Sequence, residues 1–389
     1  IQGSFHLISG KFIWGESIQE GELNFSWDEE QGLEISRFIL VSGDTKIEGI
    51  SGKTLELNVH NLNLTPIVTY YGRINNNNVP IAGGTIKDLK FTGSLAGLWE
   101  GSGVVRGQLN IAGIDLKMQE GTKHSLKLEA ITGMVEIDLK QNHYAMEKLI
   151  LYQNKKQYYE FNGEINLNTN KLPGKGVLFN VEAKFNNTEI HQLSDLFDLK
   201  VPQDMQGKLN GWIRASADDE MVQLRILINK FDGQIGQDPA ELNLDFIASS
   251  SQETFNEIRQ GEFTWQKAAR INYYVPSFSL KWGRGEIAAL LNANDQEVHG
   301  MIRGSNLDLT KMAKLSWLKN SILSQCGGEL TYFDLALEGT QARPMIRLSA
   351  TWQNGRYKEY TLGNLYIPAV TFRDNRLYLG EKKPETGNE

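Results

Sequence analysis

The 389-residue chain carries 40 Lys and Arg against 47 Asp and Glu, for a net charge of -7. That balance excludes a general nucleic-acid binder, which needs excess cations against phosphate. Its 40% hydrophobic and 22% charged residues exclude a disordered chain, and the single Cys326 excludes internal disulfides and a thiolate metal site.

The length exceeds what one compact core normally fills. No run of about 18 apolar residues could span a bilayer as a helix. Ile1 is not an initiator methionine and no signal peptide precedes it, so the expectation is a part of a longer chain.

In chain order, residues 1–54 read as the end of a preceding β module. Leu55, Leu57 and Val59 alternate with polar residues, as one face of a strand does. Thr65-Pro66 places proline at a first helical position behind a capping residue, which predicts one or two helical turns over Thr65–Tyr71. Val105, Leu109 and Ile111 share one parity, with Arg106, Gln108 and Asn110 on the other. Leu126 and Leu128 precede a parity flip at Ala130-Ile131, and Val135, Ile137 and Leu139 follow it, which predicts a bulge or bend near Gly133. A second helix is expected over Thr188–Leu199. Val222, Leu224, Ile226 and Ile228 then alternate with Gln223, Arg225 and Asn229. A third helix is expected over Asn306–Leu323, with Met312, Leu315, Leu318 and Ile322 on one face. Finally Ile346, Leu348, Ala350 and Trp352 alternate with Arg347, Ser349, Thr351 and Gln353.

These stretches repeat. Leu64, Ile190 and Leu309 match one another and stand at similar distances before the matching Gly84, Gly207 and Gly328, and Leu196 matches Leu315. The period is about 120 residues, longer than that of short solenoids. Ser26 to Gly49 likewise resembles Thr264 to Ala289, with Leu40 over Leu280 and Ile47 over Ile287. The modules are 1–54, 55–180, 181–300 and a truncated 301–389.

The search for chemistry is nearly empty. Six histidines (His6, His60, His124, His143, His191, His299) lack ligand spacing, so no metal site is expected. Gly101-Ser102-Gly103 with Gly107 is not the dinucleotide fingerprint and lacks a βαβ context. Neither GxSxG nor a P-loop occurs. Asp28-Glu29-Glu30 and Asp218-Asp219-Glu220 read as solvated turns. The expectation is a non-enzymatic chain with no cofactor.

The run NLDLTKMAKL (306–315), GGELTYFDLALEGT (327–340) and PMIRLSATWQNGRY (344–357) resembles the repeat of the AsmA-like superfamily. The pattern recurs at Asn61–Leu64 with Gly84 to Ser94, and at Glu189–Leu196 with Gly207 to Ser216. The middle copy departs from it, with Asp218-Asp219 in place of Gly339-Thr340 and no equivalent of Pro344. The resemblance implies an all-β fold: a repeated long antiparallel sheet curled into a U-shaped apolar groove with short helical caps. It also implies a periplasmic part of a longer, inner-membrane-anchored protein that carries phospholipid between inner and outer membrane. Outer-membrane assembly proteins are further implied partners, and membranes would be met through regions outside this stretch. The groove-lining candidates are Leu55, Leu57, Val59, Val105, Leu109, Ile111, Leu126, Leu128, Val222, Leu224, Ile226, Ile228, Ile346, Leu348 and Trp352.

Three other readings stay open. Alternation alone also fits the dry core of two or three β-sandwich domains, its commoner use. A carbohydrate-binding or adhesin repeat would place Trp14, Trp99, Trp212 and tyrosines on the wet parity; Trp212 and Trp282 are ambiguous. A scaffold for outer-membrane protein assembly fits the resemblance as well.

Overall fold

The computed structural model describes residues 1–12, 15–30, 32–52, 54–74, 81–94, 104–118, 125–138, 140–154, 157–166, 178–191, 201–218, 220–251, 253–254, 270–294, 296–340, 343–373 and 376–379. Trp14, Trp99, Gly101-Ser102-Gly103, His124, Leu139, Leu196, Asp219, Trp265 and most of the helix expected over Thr188–Leu199 lie outside the described residues.

Among the described residues the fold is all-β, with 21 strands in antiparallel sheet pairing, a separate two-stranded pair and only short helices. The chain divides into two compact units, Ile1–Asn186 and Asn187–Glu389. The first holds β1 (Gln2–Leu7), the small pair β2 (Gly10–Lys11) and β3 (Ser17–Ile18), and then β4 (Glu20–Asp28), β5 (Gly32–Ser42), β6 (Thr45–Ser51) and β7 (Leu55–Asn63). Helix α1 (Thr65–Ile74) comes next, before β8 (Ile81–Ser94), β9 (Val104–Met118), β10 (Ser125–Asp138), β11 (His143–Tyr152), β12 (Tyr158–Asn166) and β13 (Leu178–Glu189). Apart from β2 and β3, each strand pairs with the next, beginning with β1 on β4.

The second unit is also a meander. Its strands are β14 (Met205–Ala217), β15 (Met221–Ile235), β16 (Asp238–Ser251), β17 (Asn272–Trp282), β18 (Gly285–Ala293) and β19 (Val298–Asp308), then β20 (Cys326–Thr340), β21 (Arg343–Tyr357), β22 (Tyr360–Arg373) and β23 (Arg376–Leu379). Between β19 and β20 lie one helical turn, α2 (Leu309–Met312), and two 3-10 turns, Ser316–Leu318 and Ile322–Gln325.

One backbone device recurs where a strand hands over to a cap. Asn61, Asn187 and Asn306 take left-handed φ values of 52°, 52° and 51°, each three residues before Leu64, Ile190 or Leu309. Asparagine tolerates this region because its short polar side chain can bond locally. The kink shifts the inward parity by one: Val59 and Leu62 both point to the apolar side, although they are three residues apart. Two residues after the kink, a side chain caps the helix. Asn63 accepts the Thr65 N–H at 3.1 Å, and Asp308 accepts the Lys311 N–H at 3.1 Å, satisfying donors left free at a helix start. Asn306→Ala is expected to cost about 1 kcal/mol and Asn306→Gly to be near neutral, because only the alanine resists the left-handed region. Thermal unfolding of the two variants checks this.

Two expectations need correction, and a third, the bulge near Gly133, holds with its extra residue on the partner strand. Asn306–Leu323 is not one helix, because β19 runs to Asp308 and helical backbone stops at Ala313. Leu315 is extended, with φ -68° and ψ 133°, its side chain buried, and the next donor, Ser316 N–H, goes to the Asp204 carboxylate. That is the donor a continued helix would have given to Met312. The helix expected from Thr188 does not begin there either: β13 continues to Glu189, with Thr188 buried. The register does shift opposite Gly133, but the extra residue sits on β11, at Lys148 with φ 48°.

Candidate functional site

Directly opposed residues of antiparallel strands point to the same side of a sheet, and the side alternates along each strand. In the first unit one cross-strand row runs Leu7, Gly21, Leu40, Ile47, Val59, Leu89, Ile111, Ile131, Leu151, Tyr159, Phe185. In the second unit a row runs Gly211, Ile228, Leu244, Phe278, Ala289, Ile302, Leu335, Leu348, Val370, Leu379. Each row crosses the unit from its first long strand to its last without a charged side chain. Each unit therefore has one apolar sheet face.

The lining candidates fall on these faces by register. In the first unit Val59 and Ile111 are in the row itself. Leu57 and Leu109 flank Phe91, Leu55 opposes Gly93, Val105 opposes Ile137, and Leu128 opposes Ile114. Leu126 opposes Leu116 along the backbone; its side chain lies outside the described residues. In the second unit Ile228 and Leu348 are in the row. Val222, Leu224 and Ile226 oppose Ala217, Ala215 and Ile213, Ile346 opposes Leu337, and Trp352 opposes Leu330.

Burial along each face is graded. In the second unit it is dry beside the cap: Phe231 is 0% exposed, Leu209 3% and Leu307 3%. Elsewhere on this face Ile226, Ile228, Phe246 and Leu348 are only half-buried and Leu224 is 36% exposed, although Val222, Ala217 and Ala350 are buried again. In the first unit the cluster of Ile86, Ile114 and Leu128, joined by Leu62 and Leu64 beside α1, is dry, and so are Val59, Tyr159 and Phe185 in the row itself. Among the described residues no second layer covers the rest of either face. Close-packed sandwich cores do not leave such positions half open.

Glycines complete the lining in a way the sequence reading missed. A Cβ at Gly107 would stand 2.3 Å from the Phe91 ring, and one at Gly304 2.2 Å from the Phe333 ring. Each phenylalanine lies over a glycine on the neighbouring strand, which flattens the apolar surface. The signal was available, as inward-parity glycines across from phenylalanine, directly at Gly304–Phe333 and diagonally at Gly107–Phe91, but it needs the register to be read.

The opposite face carries the charged side chains, with an exposed apolar pair, Leu290 and Met301, among them. Arg225 forks onto Asp245 with bonds of 3.0 and 2.8 Å and lies 5.3 Å above the Trp212 ring, so Trp212 belongs to this side. Trp282 instead lies buried on the apolar side and donates to the Ile235 carbonyl at 2.8 Å. Arg106–Glu136, Arg303–Asp334 and His60–Asp88 pair across strands. The guanidinium of Arg225 is raised above its ordinary value by its bond to Asp245. The exposed pairs Arg106–Glu136, Arg303–Asp334 and His60–Asp88 contribute little stability each, whereas Asp245 is itself buried; all of them keep charge off the apolar side. Exposed Tyr332 and Tyr366 also sit there, on either side of Thr351 in one row.

The second unit's cap is pinned from several directions. Lys311 bonds Asp238 at 2.7 Å, Thr310 accepts the Gly328 N–H at 3.1 Å, and Asp204 receives Ser316. The Asp204 carboxyl is held below its ordinary value of 3.8, first by the Ser316 hydroxyl and then by its backbone N–H, with Lys319 adding a smaller pull. A lowered carboxylate pKa stabilises the fold fully above the ordinary value, and this is lost as pH falls through the lower, folded value. Acidification through that range should therefore loosen this cap first, seen as a shift of the Ser316 amide resonance. Asp204→Asn should abolish the pH step.

Among the described residues no group of three or more His, Cys, Asp or Glu is placed to hold a metal ion. Among the same residues no helix is long and apolar enough to cross a membrane. Fold and site together define an antiparallel β-sheet protein with one apolar and one charged face in each unit, compatible with a lipid- or ligand-binding role. No family model, curated protein or solved structure matches the chain.

Proposed function

We propose that the chain is a non-enzymatic segment of a lipid-transfer bridge of the AsmA-like type, in which phospholipid acyl chains move along the apolar face between inner and outer membrane. The observation that carries this reading is the uncharged row that crosses each unit while much of its face stays half open. Burying a CH₂ contributes about 0.8 kcal/mol, so a 16-carbon tail gains at most about 13 kcal/mol. Leaving into water at each step would forfeit that gain. Sliding along an even lining keeps it, while the headgroup stays in water. The ring-over-glycine seats favour such a lining over a shaped pocket. In this reading the sheet curls into a groove, and the chain is a periplasmic part of a longer inner-membrane-anchored protein whose other regions meet the membranes.

Lipid extraction from the purified chain followed by mass spectrometry tests the reading. Phospholipid bound in at least stoichiometric amount is expected, and a lipid-free chain would count against it. A second reading, carbohydrate binding on the polar face, is favoured by exposed Tyr332 and Tyr366. Double substitution of these tyrosines by alanine should leave bound phospholipid unchanged if the first reading holds.

A further inference from the structure

We propose that the cap between β19 and β20, residues 309–325, is a docking element for an anionic lipid surface, independently of whether lipid travels along the sheet. The chain as a whole is acidic, with a net charge of -7, yet Leu309 to Gly328 contains Lys311, Lys314 and Lys319 and no carboxylate. Lys311 is held by Asp238, whereas Lys314 and Lys319 are exposed. The cap also displays apolar side chains: Trp317 is 54% exposed and Ile322 66%. Their exposure follows from how the cap is fastened. Leu315 turns inward and Asp204 holds the amide of Ser316, so Trp317 is left on the outer side. A short connection already anchored by two buried leucines, Leu309 and Leu315, has no structural need for an outward tryptophan and isoleucine.

Tryptophan at a surface flanked by lysines matches the polar–apolar boundary of a bilayer, where the indole sits at headgroup level and the ammonium groups meet anionic phosphates. The first unit carries the same combination independently. No carboxylate occurs from Leu64 to Lys87, and α1 presents Tyr71, 49% exposed, beside exposed Arg73. The copy after Ile190 lacks it, with Asp195 and Asp198 in its sequence. A protein partner would also be served by an exposed tryptophan. Two cap segments, one in each unit, lack carboxylates although the chain is acidic, and two that reach the second cap, Asp204 and Asp238, are engaged by Ser316 and Lys311; this favours a surface of uniform negative charge.

Flotation of the full chain with vesicles is the test. It should float with vesicles of mixed phosphatidylcholine and phosphatidylglycerol and not with phosphatidylcholine alone, and high salt should release it. Lys314→Glu with Lys319→Glu should lower the bound fraction about tenfold or more, and Trp317→Ala with Ile322→Ser should lower it as well. Ile226→Asp, on the apolar sheet face, should leave flotation unchanged, which separates this proposal from the transfer reading. Should the cap variants fold poorly, a fluorophore at Ile322→Cys in a Cys326→Ser background should shift to the blue on the mixed vesicles only. Equal flotation with both vesicle types, undiminished flotation of folded cap variants, or no flotation at all would overturn the proposal.

Discussion

Phe231→Ala is expected to cost about 3–5 kcal/mol of stability, and Phe246→Ala, on the same face, only about 1–2 kcal/mol. Phe231 is fully enclosed between Leu209 and Leu242, beside the cap, so its removal leaves a cavity that the neighbouring strands cannot close. Phe246 opposes Ile226 and lies near Tyr273, with ring centroids 6.3 Å apart, but it is half open to solvent. Urea unfolding midpoints, with slopes checked for constancy, measure both. A Phe246→Ala cost as large as that of Phe231→Ala would mean that the face is dry along its whole length, as a sandwich core is.

The second large effect concerns Ile226→Asp. Ile226 opposes Ile213 and Phe246 in the half-open part of the second unit. In a closed core the new carboxylate would be stranded and would cost several kcal/mol, enough to unfold the unit. On an open face it can meet water, so folding should survive with a loss of about 1–2 kcal/mol. Passage of a lipid tail should not survive, since a charge in an apolar path costs about 2.5–3.5 kcal/mol. Phospholipid recovered with the variant should therefore fall by about tenfold or more. A variant that unfolds outright, or one that folds and retains wild-type lipid, would each contradict the account.

Much of this architecture was legible from period-two alternation. The strand faces read at Val105 to Ile111, Val222 to Ile228 and Ile346 to Trp352 are those set by the hydrogen-bond register. The repeat was legible too: Leu40 opposes Ile47 and Leu280 opposes Ile287 in matching hairpins that turn at Gly43 and Gly283, with φ of 55° and 59°. What alternation could not supply was the effect of left-handed residues. Asn61 and Asn306 shift the parity at strand ends, so apolar residues three apart, such as Val59 and Leu62, mimic helical spacing, and Leu307 was drawn into an expected helix although β19 runs to Asp308. The cap was misread for a related reason. Its apolar residues keep helical spacing, but Asp204, 112 residues earlier, takes the amide that would have continued the helix. Non-local competition of that kind leaves no mark in a local pattern. The phenylalanine-over-glycine seats were likewise hidden until the partner strands were known.

Photocrosslinking along β15 tests the central claim most directly. Crosslinkers at Leu224, Ile226 and Ile228 lie on the apolar face, whereas one at Gln223, and one at Ser249 opposite it on β16, lie on the polar face. The account predicts capture of phospholipid at the three apolar positions and none at the two polar ones. Equal capture on both faces, or none on either, would contradict it.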